Sequence, residues 1–171
     1  MNDTNLPRVG LGVIVLKGNT MLLGRRKGSH GAGQFASPGG HLEHLEGFEA
    51  CCRREVMEET GLEIRNVRFL RVMNVTEYAP RHYVDLSFVA EWAAGEPEVR
   101  EPEKVEGWDW YPLDALPSPL FATMPSALAA LRGELTWVDV DRGAGVADSA
   151  GLGRAAEPPA GRKFSAKAKP R

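Results

Sequence analysis

Three carboxylates set into a helical stripe that should pack against a core constrain this chain more than any other feature in it. Glu55, Glu58 and Glu59 lie in the run Arg53-Arg54-Glu55-Val56-Met57-Glu58-Glu59-Thr60-Gly61-Leu62. Their i, i+3, i+4 spacing puts them on one helical face. At about 100° per residue, Glu59 and Glu58 stand roughly 40° and 60° to either side of Glu55, and Phe48, Cys51, Cys52 and Val56 fall on or beside the same stripe. An ordinary amphipathic helix separates its apolar stripe from its acids. Here the two overlap, and carboxylates held close together and partly buried repel one another and resist ionisation. A divalent cation reverses that argument, and hard carboxylate oxygens favour magnesium or manganese over zinc. The plain alternative is a solvated acidic turn, which at this end of a helix would oppose the helix dipole.

The residues before the helix decide between the two. Gly39-Gly40-His41-Leu42-Glu43-His44-Leu45-Glu46 places a glycine pair ahead of it, and Gly61 closes it. Gly40, Glu46, Arg54, Glu55, Val56, Glu58, Glu59, Gly61 and Leu62 resemble the Nudix box of the MutT-like pyrophosphohydrolases at every defined position. The resemblance reaches upstream to Arg8-Val9-Gly10 and downstream to about Glu134, leaving out the last thirty or so residues.

That resemblance implies an α/β/α sandwich with a mixed central sheet. It implies that the Gly39 carbonyl and the acids Glu55, Glu58 and Glu59 hold the divalent cation, Mg2+ or in its place Mn2+. Glu55 is then also the candidate to orient or deprotonate the attacking water, while Glu46 and Arg54 form the pair that keeps loop and ligands in register. Arg26 aligns with a basic residue that meets substrate phosphates, and Gly40 and His41 stand beside it as substrate-side residues. Where many relatives carry an aliphatic residue, this chain has Ser37.

Composition sets the outer bounds. A chain of 171 residues with 43% hydrophobic and 26% charged residues reads as one soluble domain with an extension. It holds no apolar run near the ~20 residues of a membrane span and no signal-peptide core, so a cytoplasmic protein without membrane association is expected. Cys51 and Cys52 are its only cysteines and are neighbours on the proposed helix, which fits small packing residues in a reducing compartment better than a disulfide or a nucleophile. Residues 142–171 carry seven basic residues against two acidic ones, a balance of +5 that leaves −7 for the rest. An acidic body that handles polyphosphates needs metal ions or local arginines.

Along the chain, residues 1–7 read as an N-terminal extension, 8–141 as the domain, and 142–171 as a disordered basic tail rich in Ala, Gly, Pro and Arg. Strands are expected over Arg8–Leu16, Met21–Leu23, Phe35–Pro38, Val67–Val75, His82–Trp92 and Trp108–Tyr111, with a further edge strand over Leu135–Val140. Helices are expected over Gly47–Thr60 and Pro125–Arg132. Arg25-Arg26-Lys27 and the glycine-rich loop up to Gln34 form a candidate phosphate-side loop. Glu101, Glu103 and Glu106 include a candidate for an extra acid from outside the box, and Trp108 and Trp110 are either core residues or stacking platforms for a nucleobase.

The reaction these readings imply is attack of a metal-activated water on a nucleoside diphosphate linked to a further group. A (deoxy)nucleoside triphosphate cleaved to monophosphate and pyrophosphate is the expected substrate. Dinucleoside polyphosphates, for which Tyr78 stands at a suggestive offset, and ADP-sugars are the alternatives. A non-catalytic nucleotide-binding regulatory module is a further one, at odds with a complete set of box acids. No nucleic-acid partner is expected, and a homodimer is admitted.

Overall fold

The computed structural model describes residues 6–28 and 30–139. The expected basic tail lies outside the described residues, as do the first five residues of the N-terminal extension. The elements are β1 (Arg8–Lys17), β2 (Thr20–Arg26), β3 (Phe35–Ala36), β4 (Gly39–His41), α1 (Phe48–Thr60), β5 (Glu63–Val75), β6 (Tyr83–Ala94), β7 (Val105–Pro112), α2 (Met124–Leu131) and β8 (Trp137–Asp139). They form one sheet in the order β3-β2-β1-β6-β5-β8, with β4 added to β1 and β7 to β2. β1 runs parallel to β6 and β5 parallel to β8, while the other pairs are antiparallel, so the sheet is mixed as expected.

Alternation along β1 explains the layers. Leu11, Val13 and Val15 point to one face and join Cys51, Cys52 and Val56 of α1 in a buried cluster. Ile14 points the other way, into a second cluster with Met124, Ala127 and Leu128 of α2. Each helix covers one face of the sheet, which gives the α/β/α sandwich. Fully burying a side chain such as Val56 or Leu22 contributes roughly 1.5–3 kcal/mol.

Boundaries differ from expectation where pairing overrides local pattern. β2 continues past Leu23 to Arg26 because β7 and β3 pair with it. β5 starts four residues early, at Glu63, because its charged first turn pairs with the outer half of β6, where Arg65 meets Glu91 at 3.2 Å. Gly39–His41, read as a loop, is a short strand against Gly10–Gly12 of β1. Helix α1 ends as expected at Gly61, whose φ of 74° is left-handed and whose N–H donates to the Met57 carbonyl. No helix among the described residues is long and apolar enough to cross a membrane.

Gly24 sits where β2 is overlaid by β7. A Cβ there would lie 2.6 Å from Val105 and 2.7 Å from Trp108, so Gly24→Ala should lower stability by about 1–3 kcal/mol. Urea denaturation would read this as a lower midpoint at unchanged slope.

Candidate active site

Arg54 is the hub of the site, and its guanidinium reaches four acceptor groups besides a thiol. Nε and Nη2 grip the Glu46 carboxylate in a two-pronged bond at 2.8 and 2.9 Å, Nη1 donates to Glu55 at 2.8 Å and Glu58 at 3.2 Å, and Nη2 also donates to the His41 carbonyl at 3.1 Å. The fork matches carboxylate geometry in a way a lysine cannot. Arg54 holds the Glu46 carboxyl down at about 2, and the acids raise Arg54 further still. Glu46 and Arg54 are thus hydrogen-bonded to each other, and through the His41 carbonyl Arg54 ties α1 to β4.

The glycine pair serves close approach. A Cβ on Gly40 would stand 2.3 Å from the Glu55 carboxylate, and one on Gly39 would stand 2.0 Å from the Leu11 carbonyl of β1. Only glycine lets β4 pass between β1 and α1 at that separation. The Gly39 N–H then donates to Glu59 Oε2 at 3.0 Å.

These residues open onto a cavity of about 440 Å³, lined by Glu55 and Glu59 together with Arg26, Glu101, Lys104 and Trp108. Burial pushes the Glu59 carboxyl up to about 7; neighbouring Glu101 and Glu55 push the same way, against the Gly39 hydrogen bond and Lys104. Of the three acids outside the box, Glu101 is the one that lines this cavity: Glu106 pairs with Arg25 at 2.9 Å and Glu103 is exposed. One Glu101 oxygen takes Lys104 at 2.7 Å, while the other is buried with no hydrogen-bond partner. An orphaned carboxylate oxygen beside a carboxyl that resists ionisation is a donor set short of a cation.

Not every expected residue is brought in. The Glu58 side chain is 56% exposed, bonds Arg54 and is not part of the cavity wall. Among the described residues, no three His, Cys, Asp or Glu side chains already converge tightly enough to enclose an ion. Glu55, Glu59 and Glu101 line the cavity and could hold a metal there. Of the three cations in the phosphate-side loop, Arg26 alone faces the cavity, since Arg25 is paired and Lys27 bonds the Pro102 carbonyl. Trp108 reaches the cavity but its indole N–H is tied to the Glu59 carbonyl at 3.1 Å, and both tryptophans pack on the α1-side core. Cys51 and Cys52 are buried thiols pushed up to about 12 by burial, unsuited to act as nucleophiles.

A second cavity of about 280 Å³ lies on the α2 side of β1 and shares Arg26, Ser37, Gly39, Gly40 and His41 with the first. Tyr78, Tyr83, Phe121 and His30 give it aromatic walls. Arg26 sits at the junction with its guanidinium 4.4 Å from the Phe121 ring centre and its Nε bonded to the His30 carbonyl. Beneath lies a buried pair that sequence reasoning missed, Arg71 and Asp85. A charged residue inside each of the apolar strands Phe69-Leu70-Arg71-Val72-Met73 and Tyr83-Val84-Asp85-Leu86 was the available signal.

A model of the NUDIX domain matches residues 6–131. The chain belongs to the NUDIX family. It is 35% identical over 113 residues to the NAD-capped RNA hydrolase NudC of Pseudomonas aeruginosa, a match covering 65% of this chain and 39% of that protein. It is 33% identical over 116 residues to the ADP-ribose pyrophosphatase of Methanocaldococcus jannaschii, covering 67% of this chain and 68% of the relative. The crystal structure of a MutT NUDIX hydrolase from Burkholderia pseudomallei superposes with a TM-score of 0.69 at 35% identity, over 74% of this chain and 98% of the other. The chain thus spans about two fifths of the length of the NudC proteins it matches.

The Gly40 contact yields a direct check. Gly40→Ala should displace the Glu55 carboxylate and weaken Mn2+ binding by about tenfold or more in calorimetric titration. Gly107→Ala, whose added Cβ meets nothing within 4 Å, should bind Mn2+ as the unaltered protein does.

Proposed function

We propose that this NUDIX protein is a metal-dependent hydrolase of the pyrophosphate linkage in nucleoside diphosphates joined to a further group. The observation that carries this reading is that Glu55, Glu59 and Glu101 line one cavity together with Arg26 and Lys104. Acids for a hard cation and bases for phosphate oxygens meet there. Mg2+ or Mn2+, held by Glu55, Glu59 and Glu101 with the Gly39 carbonyl and Glu58 as further ligands, would neutralise phosphate charge and lower the pKa of a bound water.

The chain's own residues supply the rest. Arg54 fixes the Glu55 carboxylate through one oxygen at 2.8 Å, so Glu55 is held ready to orient a water and take its proton. Arg26, which lines both cavities, would meet the phosphates, with Lys104 of the first cavity as a second cation. Water attack with departure of a phosphate-bearing product is then in the main a matter of positioning and charge.

Within the class, triphosphates remain a proposed substrate. ADP-ribose and NAD-type dinucleotides stand level with them, because relatives at 33% and 35% identity are named for ADP-ribose and NAD-capped RNA. Tyr78, the residue that suggested dinucleoside polyphosphates, lines the second cavity. We place the protein in the cytoplasm on its two free cysteines.

Steady-state assays over triphosphates, dinucleoside polyphosphates, ADP-ribose and NAD should find turnover that EDTA abolishes and Mg2+ or Mn2+ restores. Glu59→Gln should lower kcat by at least about 100-fold with the melting temperature kept, because it removes a ligand charge at nearly constant volume. Nucleotide binding without turnover of any compound in the panel would favour the regulatory module instead. Arg54→Lys, which keeps the charge but loses the fork, should cost about 10–100-fold in activity.

A further inference from the structure

The second cavity is built as carefully as the first. Its floor is β1, whose α2-facing side is bare at Gly10 and Gly12 before Ile14 fills it. A Cβ at Gly10 would meet nothing closer than the Gly40 carbonyl at 3.7 Å and Asp85 Oδ1 at 3.9 Å, and one at Gly12 nothing closer than Ser37 Oγ at 3.6 Å. Side chains would fit at both positions, so the glycines leave open a space that packing does not require to be open. Aromatic walls and a bare backbone floor make a slot for a flat ring.

One polar group in that slot is held from behind. Arg71 is completely buried and spends Nη2 on Asp85 Oδ2 at 3.0 Å and on the Thr123 carbonyl at 2.9 Å. Its Nε and Nη1 are buried without partners, an expense in solvation that marks the arginine as fixed in place. A guanidinium stays protonated; burial pushes the Asp85 carboxyl up from its ordinary value, and the Arg71 charge and hydrogen bond act against that and favour the carboxylate. With Oδ2 on Arg71, Asp85 Oδ1 has no hydrogen-bond partner among the described residues and lies beside the Gly10 floor of the cavity, with the side chain 20% exposed. A carboxylate oxygen accepts hydrogen bonds and donates none.

Resting on the hydrolase reading above, we propose that this cavity holds the heterocycle of the substrate and that Asp85 Oδ1 accepts a hydrogen bond from an exocyclic amino group on it. A keto oxygen at the same place would face a carboxylate and be rejected. Arg71 is the positioning residue: it selects which carboxylate oxygen faces the slot.

Unmodified nucleosides test this without any scissile bond. Chemical-shift titration with the pairs adenosine and inosine, cytidine and uridine, and guanosine and inosine should show at least one amino-bearing member bound about tenfold or more tighter than its partner. In Asp85→Asn the amide oxygen takes Arg71 and the amide N–H2 turns to the slot, so the preference should vanish or, for adenosine and inosine or cytidine and uridine, invert toward the keto member. Gly10→Ala, which places a methyl beside Oδ1, should weaken the favoured nucleoside whether or not Asp85→Asn folds. No saturable nucleoside binding, no amino preference, or a preference unchanged in the Asp85 and Gly10 variants would overturn the inference. Turnover by the unaltered enzyme is read separately, so lack of hydrolysis with an Asp85-dependent amino preference would sink the catalytic reading and leave this one standing.

Discussion

The Arg54 guanidinium is the interaction on which the site rests. Its contacts join three segments that backbone hydrogen bonding alone would leave loosely related: the Glu46 loop, the β4 carbonyl of His41, and the acids of α1. With side-chain exposures of 24% for Arg54 and 13% for both Glu46 and Glu55, the cluster is sheltered enough for geometry to matter and wet enough to avoid the full penalty of a buried ion network. The arginine does not neutralise the whole acidic set. Glu59 has no hydrogen bond to it, and Glu101, which lines the same cavity, has an oxygen unbonded. Lys104 and Arg26 line the same cavity, yet one Glu101 oxygen is left without a hydrogen-bond partner.

The sheet makes this arrangement possible by keeping its two faces distinct. Helix α1 is anchored by small thiols and Val56 against β1 and β6, so the acids on its flank are presented at the edge of that face. Helix α2 and the chain leading into it close the other face and contribute Phe121, Thr123 and Met124 to the aromatic cavity. Both chambers meet at β4 and Arg26, so a ligand lying across that junction would have its phosphates and its ring read by different sides of one strand.

Much of this was legible in the sequence because it follows from spacing. The glutamate stripe, the glycine pair, the Glu46–Arg54 support and the Gly61 stop are local patterns with local causes. What remained hidden depends on long-range pairing. The choice of Glu101 over Glu103 and Glu106 turns on how the chain before β7 folds over α1, and Arg71 meets Asp85 because β5 and β6 are paired in a register that contains bulges. Trp108 and Trp110 read equally as core residues or as platforms for a base; both pack against the core, Trp108 also lines the first cavity, and the rings that line the second are Tyr78, Tyr83 and Phe121. A strand assigned over Gly39–His41 needed knowledge that β1 would accept a partner on that edge, which no three-residue window contains.

One consequence of the glycine backbone at β4 concerns how motion would pass through the molecule. Arg26, Ser37 and His41 line both chambers with side chains that can rotate, but at Gly39 and Gly40 the shared wall is bare main chain, with the Glu55 carboxylate directly against Gly40 and Glu59 hydrogen-bonded to Gly39. That stretch has no cushion. A shift of the strand toward either chamber is at once a shift in the support of both carboxylates.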